Sequence, residues 1–179
     1  MHRGIPRHRN RLQQHRRGSR LARRDRRPSP LILADVNALI YAFRPETSLH
    51  ELARGALTEC RDKGTLIVLP DVAASFLRIV TDKRLSTSPD KIDDALAFIE
   101  ALTGNGRFLR EARASRWMAL RHLVELIDVS GALVPDALIA ATGLDFDACV
   151  LTADRDFVRF PGLRVQLMTP IGIVDHTVK

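Results

Sequence analysis

A chain of 179 residues can bury one substantial core and falls short of two ordinary domains. Its formal charge of +7 is unevenly placed, because residues 1–30 hold 11 Arg against one Asp, a net +10 that leaves −3 for residues 31–179. No apolar stretch approaches the ~20 residues of a membrane-spanning helix, no signal-peptide core opens the chain, and Cys60 and Cys149 offer neither a disulfide framework nor zinc-ligand spacing, so a cytoplasmic protein without membrane contact is expected.

Residues 1–30 lack the large apolar side chains of a core and close on Pro28-Ser29-Pro30, so this basic leader is expected to be disordered on its own. It reads either as an arginine-rich arm for nucleic-acid phosphates or as a start-site artefact, with translation beginning near Leu31. The second reading is the simpler, because a core strand starts there abruptly.

Leu31-Ile32-Leu33-Ala34 has the pattern of a strand buried on both faces. Residues 37–43 read as a first helix stopped by Arg44-Pro45. Residues 50–63 read as a second, with Leu52, Ala53, Ala56, Leu57 and Cys60 at helical spacing and Gly64 ending it. Residues 65–69 form another buried strand. Pro70-Asp71 opens a helix to about Val80, and residues 89–102 make one with Ile92, Leu96 and Ile99 on one face. Residues 107–109 are assigned a short strand, and residues 114–127 a helix that packs Trp117 on its buried side.

Val134-Pro135-Asp136 starts a helix through Ala141, with Pro tolerated in the first turn and Gly143 as its stop. Residues 148–151 and 164–167 are the last strands, and residues 171–179 a tail. Strands separated by helices imply a parallel sheet of about four or five strands in a three-layer α/β/α domain spanning residues 31–170.

Four aspartates stand out against this frame. Asp35 follows the first apolar run, Asp136 opens a late helix, and Asp154 and Asp156 follow the run at 148–151. Open parallel sheets gather their loops at the carboxyl edge, and oxygen clusters there suit hard cations such as Mg²⁺ or Mn²⁺. Each acid also has a plain reading: Asp35 and Asp136 as helix caps, Asp154 as the cap of a turn containing Arg155. Asn37 either orients Asp35 or a water beside it, or simply begins a helix.

Four stretches in order carry a resemblance: Leu33-Ala34-Asp35-Val36-Asn37-Ala38-Leu39-Ile40-Tyr41-Ala42, Ala74-Ser75-Phe76-Leu77-Arg78-Ile79-Val80-Thr81, Val134-Pro135-Asp136-Ala137-Leu138-Ile139-Ala140-Ala141 and Leu151-Thr152-Ala153-Asp154-Arg155-Asp156-Phe157. Over residues 31–170 the chain resembles the PIN-domain ribonucleases, in particular the VapC-type toxins of bacterial toxin–antitoxin pairs. The resemblance implies a Mg²⁺- or Mn²⁺-dependent endoribonuclease leaving 5′-phosphate and 3′-hydroxyl ends. Asp35, Asp136 and Asp154 would be its catalytic and metal-binding acids, and Asp156 an auxiliary metal ligand. It also implies tRNA or rRNA as substrate and a VapB-type antitoxin that inserts a segment, often with a basic residue, into the acidic crevice. A homodimer is implied too, for which the apolar helices at 50–60 and 89–102 offer a face.

One position departs from the family pattern. Many PIN domains carry a glutamate as second acid where this chain has Ser75. Asp71, one helical turn earlier, is a partial substitute or a first-turn acid favoured by the helix dipole. Arg78, one turn later, reaches substrate phosphate, a site carboxylate or a surface partner. Lys83, Arg84 and Arg155 are candidates to guide RNA, while His50, His122 and His176 are expected at or near the surface. Two readings compete: a PIN-like binding module without catalysis, suggested by Ser75, and a haloacid-dehalogenase-type phosphatase, disfavoured because Asn37 stands where that class needs a second aspartate. Response-regulator receivers need paired acids and a late lysine that the chain does not place.

Overall fold

The computed structural model describes Met1 and residues 29–85, 88–104, 106 and 108–179; the leader, from residue 2 to residue 28, lies outside the described residues. Five strands form one sheet: β1 (Ile32–Ala34), β2 (Leu66–Ile67), β3 (Cys149–Thr152), β4 (Arg164–Thr169) and β5 (Gly172–Thr177), in the order β2-β1-β3-β4-β5. The first four run parallel, Leu33 pairing with Ile67 on one side and Val150 on the other. Residues of β1 and β3 are buried throughout, as their unbroken apolar runs require.

Six helices cover the sheet in a three-layer α/β/α arrangement: α1 (Val36–Phe43), α2 (His50–Asp62), α3 (Pro70–Thr81), α4 (Ile92–Thr103), α5 (Arg116–Leu126) and α6 (Leu133–Phe146). Phe76 of α3, fully buried, meets Phe43 of α1 and Phe98 of α4 at ring-centroid distances of 5.4 and 5.5 Å. Such aromatic contacts add about 0.5–1.5 kcal/mol each to the burial itself. Arg44, after α1, donates to Asp90 Oδ2 at 2.7 Å and to the Val80 carbonyl at 3.2 Å, joining the same three helices at their far end. Among the described residues no helix is long and apolar enough to cross a membrane.

The structure departs from the sequence expectations at several points. Residues 172–177 are β5, paired antiparallel with β4, rather than part of a tail. The strand is largely exposed, so it carries no unbroken apolar run, and its place comes from the backbone ladder across a tight turn closed by Thr169 Oγ1 donating to the Gly172 carbonyl. The sheet is therefore mixed at this edge. Leu109 makes only an isolated parallel bridge to Val68 where a strand was expected.

Gly143 does not end α6. It lies within the helix, where an added Cβ would stand 2.9 Å from Leu163 Cδ1 and 3.1 Å from Val150 Cγ2. Close approach of helix to sheet is its purpose, and Asp147, left-handed at φ 50°, is the actual cap. His50 is buried, its Nδ1 3.0 Å from the Tyr41 carbonyl, while His122 and His176 are exposed as expected. Trp117 is 64% exposed and does not pack a helix face; Leu120 and Leu123 supply the buried side of α5.

Candidate active site

Asp35 follows β1 directly, and its backbone N–H extends the ladder to the Leu151 carbonyl of β3 at 3.1 Å. The side chain is fully buried. Its Oδ1 accepts from the Val36 amide at 2.6 Å, which caps α1, and its Oδ2 accepts from Thr152 Oγ1 at 2.7 Å. The cap reading and the site reading are thus both realised, on different oxygens. Burial pushes the Asp35 carboxyl above its usual range, while Thr152 and the amides of Val36 and Asn37 pull it back.

Thr152 ends β3 and joins two acids. Its oxygen also accepts the Asp154 amide at 2.9 Å, and Asp154 Oδ1 in turn accepts the Asp156 amide at 2.8 Å, capping the short 3₁₀ turn Arg155–Arg159. The sequence reading passed over Thr152. A hydroxyl residue at the end of a buried strand, two before an aspartate, is the signal that would have found it.

Asp136 is not a cap. Helix α6 begins at Leu133, which leaves Asp136 inside the first turn with its carboxylate half-buried. Its carboxyl is pushed up to about 6, first by burial and then by the negative charges of Asp35, Asp154 and Asp156. All four acids therefore share one region of the carboxyl edge. Among the described residues no cationic side chain forms an ion pair with Asp35, Asp136 or Asp154, whereas Asp156 lies 3.6 Å from Arg159.

The other residues singled out from the sequence sit around this group. Asn37 is half-buried in the first turn of α1, and its amide faces the Asp35 carboxylate. Ser75 is half-buried on α3 and, among the described residues, makes no hydrogen bond to the acids. Arg78 is exposed, and its charge bears on Asp82 rather than on the cluster. Asp71 does not stand in for a second acid in this arrangement, because Arg116 of α5 holds it at 3.1 Å. Arg84 is likewise committed to Asp82, at 2.9 Å, whereas Arg155 is exposed beside the acids.

An all-oxygen donor set in which neighbouring carboxylates push Asp136 and Asp35 up suits a hard divalent cation, which would relieve that repulsion. As the side chains stand, no three such groups among the described residues are spaced to share an ion. Asp154 and Asp156 lie at the start of a 3₁₀ turn rather than on a strand.

A sequence profile of the PIN domain matches residues 32–163, the span that carries all four acids. The chain belongs to the PIN-domain family. The VapC ribonuclease Mb2897 of Mycobacterium bovis is 38% identical over 136 residues, covering 75% of this chain and 92% of that protein. Ribonuclease VapC25 of Mycobacterium tuberculosis is 33% identical over 136 residues, covering 75% and 96%. Among solved structures, the VapBC2 complex of Rickettsia felis, bound to a DNA fragment from its promoter, aligns with a TM-score of 0.57 at 17% identity, covering 76% of this chain and 98% of that one. That likeness bears on the fold of this PIN domain alone.

Proposed function

We propose that this PIN domain is the toxic ribonuclease of a toxin–antitoxin pair, a Mg²⁺- or Mn²⁺-dependent endoribonuclease. The observation that carries the reading is the convergence of Asp35, Asp136, Asp154 and Asp156 on one sheet edge with their charges coupled and three of them without cationic partners. Names of relatives at 33–38% identity support it.

Each residue then has a role that follows from where it sits. Asp35, Asp136 and Asp154 would hold the cation, with Asp156 as an auxiliary ligand. Asn37, whose backbone amide faces the Asp35 carboxylate, would help orient it. Four carboxylates alone repel an anionic phosphodiester; a bound divalent cation supplies the opposing charge and polarises water and the scissile phosphate. Arg155, exposed on the same turn, is placed to meet a substrate phosphate, and Arg78 lies farther out along α3. Hydrolysis to 5′-phosphate and 3′-hydroxyl ends, with tRNA or rRNA as substrate, goes with the same reading.

A VapB-type antitoxin is the proposed partner, with a cationic side chain competing for the acids that the cation would occupy. A homodimer is proposed as well. Of the two helices expected to supply its face, α4 exposes Ile92 and Leu96 while α2 exposes no large apolar side chain; Trp117 and Met118 on α5 are among the other exposed apolar side chains. The second reading, a PIN-like module without catalysis, draws on Ser75 and on the capture of Asp71 by Arg116.

The test is cleavage of total tRNA and rRNA with and without Mg²⁺ or Mn²⁺. Asp136→Asn is the cleaner variant, because the Asp136 carboxylate makes no hydrogen bond among the described residues, whereas Asp35→Ala also uncaps α1. Loss of about 100-fold or more in both supports the nuclease, since outlying residues of metal sites alone cost roughly 10–100-fold. Metal-independent cutting overturns the cation-dependent mechanism, and no cutting from a folded, antitoxin-free protein favours the binding module.

A further inference from the structure

We propose that Thr152 is a positioning residue of this site, whose hydroxyl orients the Asp35 carboxylate and pins the Asp154 turn against it. The inference rests on the cation-dependent reading above. Asp35 and Thr152 lie 117 positions apart in sequence and meet at the ends of neighbouring strands. The Thr152 side chain is fully buried, so no water competes for its hydroxyl.

The direction of each bond is determined by groups that cannot reverse. The Asp154 amide is a donor only, so Thr152 Oγ1 must accept from it, at 2.9 Å. The hydroxyl's single proton is then free to go to Asp35 Oδ2, at 2.7 Å. Val36 N–H must likewise donate to Oδ1, so the carboxylate plane is held at both oxygens. With the Asn37 amide also facing the carboxylate, Thr152, Val36 and Asn37 take about three of its four acceptor positions and leave one for a further ligand.

Asp154 is bound into the same chain by its amide, and Asp156 by its own amide to Asp154 Oδ1. A single neutral side chain thus sets the spacing between acids that belong to different strands. Ser75 sharpens the requirement, because a site without the usual second acid has fewer ligands to correct a misplaced one.

The experiment compares wild type, Thr152→Ser and Thr152→Val in the full chain. Mn²⁺ uptake without RNA is followed by calorimetry and by the electron paramagnetic signal of free Mn²⁺, thermal unfolding without metal is recorded, and RNA cleavage is measured alongside. Serine keeps both bonds, and its Mn²⁺ affinity is expected within about 3-fold of wild type. Valine keeps the shape and loses both, and is expected to bind Mn²⁺ about 10–100-fold more weakly, the usual cost of losing an outlying partner at a metal site.

A valine variant that unfolds more easily yet binds Mn²⁺ as wild type does overturns the proposal, since Thr152 would then only fill space. A serine variant as impaired as valine overturns it too. Should valine fail to fold, serine against cysteine carries the same comparison, because a thiol is a weak donor of similar shape. Wild type that takes up Mn²⁺ and cuts no RNA sinks the nuclease reading and leaves the Thr152 comparison standing. Wild type that takes up no Mn²⁺ removes both.

Discussion

Arg116 Nη1 donates to Asp71 Oδ2 at 3.1 Å, tying the start of α5 to the first turn of α3. The pair decides what Asp71 does. An acid one turn before Ser75 is spent on an interhelical link and not on the crevice, so the proposed site would rest on the acids after β1, in α6 and on the β3 turn.

Asp71→Asn should therefore leave Mn²⁺ affinity and RNA cleavage within about 2-fold of wild type while lowering stability by about 0.5 kcal/mol, as for other partly exposed ion pairs. Denaturant titration and a metal-binding isotherm on the same preparation check it. A large drop in affinity with unchanged stability would place Asp71 back in the site.

The metal-free protein should lose stability as pH rises. Asp136 titrates near 6 in the folded chain against a usual value of 3.8, so between these values the folded state keeps a proton that the unfolded state has released. Stability then falls from about pH 4 through about pH 6 and levels off above; the raised Asp35 carboxyl acts in the same direction. A bound cation should reverse the trend, with affinity weakening below about pH 6 as protons compete. Melting temperatures across this range, with and without Mn²⁺, show both effects. Asp136→Asn should reduce the metal-free slope, and an unchanged slope would mean that another group causes it.

Gly143→Ala should destabilise the fold by up to about 2 kcal/mol. The new Cβ would press on Leu163 and Val150, both fully buried, and overpacking of about 1–3 kcal/mol outweighs the ~1 kcal/mol that alanine gains over glycine in a helix. A chemical denaturation curve measures the balance, and a stabilised variant would show that the helix can lift from the sheet without penalty.

Deleting residues 1–30 removes +10 of charge and leaves a body of −3. If the native protein carries this leader, its removal should weaken binding to non-cognate RNA and flatten the dependence of log affinity on log salt, because fewer phosphate counterions are released. Filter binding at several salt concentrations tests this. Equal slopes for the two proteins would discount the arm, and mass spectrometry of the native protein establishes its first residue.

The residues that were legible are those whose environment is set locally or by repetition. Unbroken apolar runs at 31–34 and 148–151 announced β1 and β3, helical spacing announced α2 through α6, and the order of elements announced a parallel α/β/α sheet with acids at its strand ends. Asp35 and Asp154 stand out in the sequence as charges just past buried strands, which need a partner to stay there, and Asp136 as an acid in the opening turn of a late helix.

The chain order thus carries which residues are apolar, in what period, and which acids interrupt them. How those acids are held emerges only when distant segments meet. The Thr152–Asp35 bond joins strands far apart in sequence, the Arg116–Asp71 pair withdraws a nearby acid, Gly143 serves packing rather than termination, and an exposed β5 is held by pairing with β4 rather than by an apolar run. Each depends on distances between segments that meet only after folding. Local periodicity records what a residue prefers, whereas hydrogen-bond direction, close approach and charge coupling arise between neighbours that the chain order does not place together.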